Sequence, residues 1–251
     1  MMRLTKLFAT LISALVLLSA CGGATDTETE TGTNGETDAP AAETTDEPEP
    51  ALPESKVLQK SPEADQVDDQ GQFQEVSIDN LETYQHPSGL FSLQIPAGWT
   101  INDNSKPEEV IILWFDPAQN ASIGVDIFDA PPEITDDNLS QLLQQFLQGT
   151  FGTQTNFAMS EPEVQPDGSI RVAWGYVESV EGGSGWLQGN SFIQKIEDKV
   201  SILNVFVVGS QFDDLQDSLS RVINSYEVDA SVQIPPPPAT PEAGEAAPET
   251  P

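Results

Sequence analysis

The segment VIILWFDPAQNASIGVDIF (residues 110–128) holds two apolar runs separated by turn-forming residues. The first run, residues 110–115, is continuously apolar, which is typical of a buried central strand. The second run, residues 121–128, alternates between apolar and small or polar side chains, which predicts a strand with one buried face. The Asp-Pro pair and the Asn between the runs favour a hairpin turn. The segment therefore predicts two adjacent antiparallel strands.

The rest of residues 76–232 repeats these patterns. Strand patterns occur in four further segments: residues 91–95, 169–177, 186–196 and 200–208. Apolar residues recur at helix spacing over residues 139–147 and 215–226. Thr135 or Asp136 is the predicted N-cap of the first of these helices. Because strands dominate and the two helices must cover sheet faces, we predict an α+β domain built on an antiparallel sheet.

The segment YQHPSGLFSLQIPAGW (residues 84–99) resembles the opening of PsbP-like domains, where a Tyr and a polar turn precede Gly-Phe-Ser, alternating hydrophobic residues and Pro-x-Gly-Trp. The match has one departure, because Leu90 lies between Gly89 and Phe91. With the order of the later elements, the resemblance covers residues 82–228. It implies a central antiparallel sheet flanked by helices, an α/β/α sandwich. That fold serves photosystem assembly factors, a nuclear-transport protein that binds a small GTPase and many bacterial lipoproteins, so it implies architecture rather than function.

The N-terminus has the features of a lipoprotein signal peptide. Arg3 and Lys6 precede the apolar run LFATLISALVLL, which is shorter than the ~20 residues that a membrane-spanning helix needs. Leu-Ser-Ala-Cys follows and resembles the bacterial lipoprotein box, which implies acylation of Cys21 and cleavage just before it. The alternatives are an ordinary secretory signal or an uncleaved anchor. We expect residues 1–20 to be a signal peptide and Cys21 to anchor the protein to the extracytoplasmic face of a bacterial membrane.

Two segments outside the predicted domain are of low complexity. Residues 21–75 are rich in Thr, Glu, Pro, Ala and Gly, which bury too little apolar surface to offset chain entropy, so we predict a disordered acidic tether. A sink for divalent cations or a decoy for basic partners is the alternative. Residues 233–251 contain four consecutive prolines and form a predicted disordered tail.

The charge of the chain excludes one class of partner. Its 41 acidic and 9 basic residues give a formal net charge of -32, which repels phosphate backbones and excludes sequence-independent nucleic-acid binding. Residues 76–232 hold 23 acidic and five basic residues, a net charge of -18 that would steer a protein partner of opposite sign toward the domain. The single Cys excludes an intramolecular disulfide, and the single His leaves few soft metal ligands.

No motif in the sequence indicates a catalytic group or a cofactor. His86 lies in the polar turn QHPSG, where an exposed position is expected, and no nucleophile elbow or phosphate-binding glycine motif is present. Carboxylates at the predicted helix starts are weak candidates for a divalent-cation site, although the helix dipole alone explains acidic residues there. These candidates are Asp136, Asp137, Asp213, Asp214 and Asp217.

Two tryptophans are candidates for an interaction surface. Trp174 and Trp186 flank the loop VEGGSG, and they would form a binding platform if both faced outward. Burial in the core is the favoured interpretation, because aromatic residues on strands are more often buried.

These observations support three functional hypotheses. The first is a lipid-tethered, non-catalytic module that binds or helps to assemble another envelope protein. The second is a module that binds a divalent cation or a small ligand, and it rests on the acidic excess. The third is a hydrolase with paired carboxylates, which has no motif in its favour.

Overall fold

The computed structural model describes residues 56–64, 73–180 and 183–234. The predicted signal peptide, Cys21 and most of the predicted tether and tail lie outside these ranges. In the described part of the chain no helix is long and apolar enough to cross a membrane.

The described chain forms eleven strands and two α-helices. In chain order they are β1 (Leu81–Gln85), β2 (Phe91–Pro96), β3 (Thr100–Asp103), β4 (Glu109–Phe115), β5 (Ala121–Asp129), α1 (Leu139–Phe151), β6 (Thr155–Met159), β7 (Glu163–Val164), β8 (Ile170–Val180), β9 (Gly183–Ile196), β10 (Lys199–Val208), α2 (Phe212–Asn224) and β11 (Glu227–Val228). The large sheet has eight strands in the order β3-β4-β5-β10-β9-β8-β6, with β7 also paired to β8. A small sheet has the order β1-β2-β11.

The hairpin predicted from residues 110–128 is present as β4 and β5. The two strands pair antiparallel, with Ile112 opposite Val125, and these side chains belong to the main core. The turn is organised by Asp116, whose two carboxylate oxygens accept the amides of Ala121 at 2.7 Å and Ala118 at 3.0 Å. The aspartate therefore replaces the backbone partners that the turn cannot supply.

The two helices lie on opposite faces of the large sheet. Leu203 and Val205 of β10 point toward α2 and the small sheet, and they share one core cluster with Val222 of α2. On the other face, the ring of Phe151 at the end of α1 stacks on Trp174 of β8 with centroids 4.1 Å apart. The predicted α+β architecture, with helices on both sides of an antiparallel sheet, is confirmed.

The start of α1 differs in detail from the prediction. A short 3₁₀ turn, Asp136–Asn138, comes first, and the α-helix begins at Leu139. The backbone amide of Thr135 donates to the side-chain oxygen of Asn138 at 3.0 Å, so Thr135 caps the 3₁₀ turn rather than the α-helix itself.

Residues 56–64 depart from the predicted tether, which spans residues 21–75. Leu58 is 4% exposed and belongs to the main core cluster, and Ser61 is also buried. Composition predicted disorder because this segment has few apolar residues. The prediction is wrong for residues 56–64 because polar side chains of the folded domain bind their backbone.

Candidate interaction site

A short segment of the chain lies across the large sheet on the face that α2 covers. We call residues 56–61 the strap. Leu58 is its one buried apolar side chain, whereas Val57 is 52% exposed and Gln59 and Lys60 also face solvent. The strap crosses β8 and β9. On this face of the sheet, β9 presents the side chains of Trp186, Gln188 and Asn190.

Two asparagines each bind both backbone groups of one strap residue. Asn224 accepts the amide of Lys56 at 2.7 Å and donates to its carbonyl oxygen at 3.1 Å. Asn190 accepts the amide of Gln59 at 3.0 Å and donates to its carbonyl oxygen at 2.9 Å. A side-chain amide used in this way offers the same donor and acceptor as a neighbouring strand would.

The remaining contacts extend this pattern along the strap. The amide of Val57 donates to Oε1 of Gln165 at 3.0 Å, and its carbonyl accepts Nη1 of Arg171 at 2.6 Å. At the far end, the amide of Ser61 donates to Oε1 of Gln188 at 3.2 Å. We call the six side chains that hold the strap the strap site: Gln165, Arg171, Trp186, Gln188, Asn190 and Asn224.

Three side chains of the strap are buried by the domain: Lys56, Leu58 and Ser61. Leu58 enters the core, and the hydroxyl of Ser61 accepts Nε1 of Trp186 at 2.8 Å. Lys56 forms an ion pair with Asp167 at 2.5 Å. Burial alone would raise the pKa of Asp167, but hydrogen bonds from Lys56 and Ser169 and the charge of Lys56 outweigh it and lower that pKa. The ion pair therefore fastens the start of the strap.

Two buried donors of the strap site lack a hydrogen-bond partner in the described residues. They are Nε of Arg171 and Nε2 of Gln188. Arg171 is 4% exposed and otherwise well bonded, because it pairs with Glu163 and donates to Gln59 Oε1 at 2.8 Å. Because an unpaired buried donor is costly, the strap leaves binding capacity in the site unused.

The strap is held by a small margin of free energy. Burial of Leu58 contributes about 2 kcal/mol, and ten hydrogen bonds hold the strap at roughly 1 kcal/mol each. Ordering six residues costs about 1.5 kcal/mol each, or roughly 9 kcal/mol. The difference is about 3 kcal/mol before the ion pairs Lys56–Asp167 and Lys60–Asp213 are counted, so release of the strap costs a few kcal/mol.

An open depression of about 580 Å³ borders the strap. Its lining includes Val57 of the strap, Val164 of β7 and Arg171. Val164 is 71% exposed, so an apolar side chain lies at the rim of the strap site.

The opposite face of the sheet carries a pair of carboxyl groups. Asp126 of β5 is 9% exposed and hydrogen-bonds the side chain of Glu109 on β4. Burial, and next the negative charge of Glu109, raise the pKa of Asp126 well above its usual value, although Lys106 opposes this. Oδ1 of Asp126 has no partner in the described residues. Because Asp126 is buried, the pair does not present two carboxyl groups to a substrate.

Trp174 and Trp186 do not form the exposed platform that was considered from the sequence. The two residues are 0% and 1% exposed and lie on opposite faces of the sheet. Trp174 packs over Gly189, and its indole nitrogen donates to Ser191 at 2.8 Å. Trp186 packs over Gly175, and its indole nitrogen donates to the hydroxyl of Ser61 in the strap. Both tryptophans are therefore core residues.

The carboxylates predicted as cation ligands do not form a cluster. In residues 56–64, 73–180 and 183–234, no group of three or more His, Cys, Asp or Glu side chains could hold a metal ion. Asp213 pairs with Lys60 at 3.0 Å. Asp136 and Asp137 lie in the first turn of a 3₁₀ segment, and Asp214 and Asp217 lie on α2. The cation site proposed for these five residues is not formed by the described chain.

His86 lies in the predicted turn but is not exposed as expected. It is 7% exposed, its ring stacks on Phe91 with centroids 5.2 Å apart, and its Nδ1 lies 2.7 Å from Ser88 Oγ. Burial lowers the pKa of His86, and the charge of Asp103 only partly opposes this. The side chain therefore organises the turn between β1 and β2.

The titration of His86 tests this placement. Because the pKa of His86 is lowered by folding, its neutral form contributes stability above the unfolded value of ~6.5, and that contribution is lost as pH falls through the folded pKa. The chain has one His, so a single imidazole proton resonance reports the titration. We expect a midpoint below that of the urea-unfolded chain; equal midpoints would contradict burial of the ring.

Sequence reasoning missed the strap site, although one signal was present. Trp186, Gln188, Asn190 and Phe192 share one face of a strand that is buried almost throughout. A buried Gln and Asn in such a strand require hydrogen-bond partners, and a polypeptide backbone supplies them.

The fold and the site define a class: an α+β protein whose antiparallel sheet holds a stretch of polypeptide through buried amide side chains. No protein-family model matches the chain, and no curated protein matches it.

Several solved structures are similar to the chain. The solution structure of cyanobacterial PsbP (CyanoP) from Synechocystis sp. PCC 6803 is 14% identical, with a TM-score of 0.42, and the match covers 63% of this chain and 98% of that one. The Ran-binding protein Mog1p of Saccharomyces cerevisiae is 13% identical, with a TM-score of 0.44 over 62% and 99% of the two chains. LpqN, involved in cell envelope biogenesis of Mycobacterium tuberculosis, is 15% identical, with a TM-score of 0.38 over 59% and 90%.

Proposed function

We propose that the chain is a lipid-anchored, extracytoplasmic protein of the bacterial envelope whose folded domain binds another envelope protein without catalysing a reaction. The observation that carries this proposal is the strap site, where side-chain amides already bind a polypeptide backbone. Three of these amides, Gln165, Gln188 and Asn190, are buried. Such a site is built for a chain segment rather than for a small substrate.

The anchor and the charge support the same proposal. The lipoprotein box ending at Cys21 supplies a membrane attachment through acyl chains. The net charge of -18 over residues 76–232 favours a protein partner with a basic surface and disfavours nucleic acid.

The experiment is site-specific photo-crosslinking of the membrane-bound protein in its native cells. The crosslinking residue replaces Val164, which is 71% exposed at the rim of the strap site, or Ile101, which is 48% exposed on the edge strand β3 at the other end of the sheet. We expect one protein to be captured at position 164 and not at position 101. A chain of residues 21–55, which lacks the strap, is the control for capture by the tether.

The two outcomes of the crosslinking experiment lead to opposite conclusions. A protein captured only at position 164 supports a docking domain and identifies its partner. If position 164 captures nothing above the level of the control chain, the proposed function is wrong.

A further inference from the structure

The strap is bound in the manner of a peptide ligand. Its backbone makes seven hydrogen bonds with the site, and the side chains that the site buries are Lys56, Leu58 and Ser61. The solvent-facing side chains of Gln59 and Lys60 also contact Arg171 and Asp213. Backbone contacts bind any extended segment, and the buried side chains select among segments.

We propose that the strap site is a peptide-binding site, that residues 56–61 occupy it in cis, and that an extended segment of the partner protein displaces them. This inference rests on the proposed function and specifies its interface. The spacing of Lys56, Leu58 and Ser61 in the strap predicts the pattern of the partner segment. That segment should have a basic residue, an apolar residue two positions later and a small hydroxyl residue three positions after the apolar one.

The bound strap has the properties of a displaceable occupant. It buries one apolar side chain, and Val57 and Gln59 remain exposed. The site retains two unpaired buried donors, Nε of Arg171 and Nε2 of Gln188, which a partner segment with a different side chain can satisfy. A partner segment can also cover the exposed side chain of Val164 beside the strap.

The covalent attachment of the strap to the domain determines how tightly a partner segment must bind in order to displace it. Because the strap belongs to the same chain, its effective concentration at the site is high, and a free peptide must compete with it. Release of the strap by mutation therefore raises the apparent affinity of the site for an added peptide.

The test uses the full chain in detergent and a fluorescent peptide of residues 54–62, which is ESKVLQKS followed by Pro. The variant Leu58→Asp removes the apolar anchor of the strap while leaving the strap site unchanged. Fluorescence anisotropy is expected to show saturable binding of the peptide to this variant, with one peptide bound per chain. Binding to the unmodified chain is expected to be weaker by about tenfold or more.

A second variant guards against misfolding of the first. Gln59→Pro removes the amide that donates to Asn190 and leaves Leu58 in place. It is expected to expose the site in the same way, and far-ultraviolet circular dichroism checks that each variant remains folded.

Matched substitutions then locate the binding. Asn190→Leu in the Leu58→Asp background is expected to reduce peptide affinity by tenfold or more. Asn204→Leu changes the same residue type on the adjacent strand, where the side chain faces away from the strap and accepts from Ser191. It is expected to leave peptide affinity unchanged.

Several results would overturn the inference. The first is that neither folded strap variant binds the peptide; the second is that Asn190→Leu and Asn204→Leu weaken binding equally. A third is that the unmodified chain forms dimers which Leu58→Asp abolishes, because the occupant would then be a second copy. None of these results would change the outcome of photo-crosslinking at position 164 in cells. Failure of the peptide-binding inference can therefore be distinguished from failure of the proposed function.

Discussion

Replacing Gly189 by alanine is expected to lower the free energy of unfolding by about 3 kcal/mol, because the added methyl group has no space. A Cβ at this position would lie 2.5 Å from Cζ2 of Trp174 and 2.7 Å from the carbonyl oxygen of Val205. The ring of Trp174 cannot retreat easily, since Phe151 stacks on it at 4.1 Å. Urea unfolding followed by circular dichroism measures the change.

Gly149→Ala is the matched control for this substitution. Gly149 lies in α1, and nothing is found within 4 Å of a Cβ built there. Alanine is the better helix former, so this variant is expected to gain roughly 0.5–1 kcal/mol. If both variants changed stability by the same amount, the close packing of Trp174 on Gly189 would be refuted.

Replacing Asp126 by asparagine is expected to stabilise the protein at neutral pH. Burial raises the pKa of Asp126 above its unfolded value, and so does Glu109. Stability is therefore greatest below the unfolded pKa and is lost as pH rises toward the folded pKa. Asparagine removes this loss, so we expect the Tm at pH 7 to rise by several degrees, given that about 1 kcal/mol shifts Tm by ~2–4 °C in a domain of this size.

Asp116→Asn provides a control of opposite sign. Asp116 is also buried, at 3% exposure, but both of its carboxylate oxygens accept backbone amides. An asparagine places an NH₂ group against one of these donors, so this variant is expected to lose about 1–2 kcal/mol. Melting curves between pH 4 and 8 measure both variants. A lower Tm for Asp126→Asn at pH 7 would contradict the assigned environment of Asp126.

The elements that sequence predicted correctly are those with long apolar patterns. Their periodicity can be recognised because each contains many apolar residues. These elements are the hairpin of β4 and β5, the antiparallel strands β8, β9 and β10, and both helices. The missed strands are short or solvent-facing: β3 is exposed throughout, and β11 has two residues. Their strand conformation comes from pairing with a neighbour, which no local pattern encodes.

The register of the β8–β9 hairpin explains why the two tryptophans form no platform. In the β8–β9 hairpin Trp174 lies opposite Gly189 and Trp186 lies opposite Val177, so residues with even numbers face residues with odd numbers across the pair. Two even-numbered tryptophans therefore point to opposite faces. The loop length fixes this register, and a shift of one residue would have reversed the result.

The strap site could not be predicted from the sequence for a different reason. The partners of the strap lie far away in the chain, because Gln59 and Asn190 are 131 positions apart and Lys56 and Asn224 are 168 positions apart. Composition describes how much apolar surface a segment can bury, and it does not describe hydrogen bonds that distant side chains provide.

The most direct test of the central claim, that buried amides of the sheet bind a polypeptide backbone, is hydrogen exchange at the amide of Gln59 in the full chain. That amide donates to Asn190 at 3.0 Å, so its exchange is expected to be at least about tenfold slower than in an unstructured peptide. Asn190→Leu is expected to remove this protection, and Asn204→Leu is expected to preserve it. Exchange of Gln59 at the unstructured rate in the unmodified chain would contradict the account.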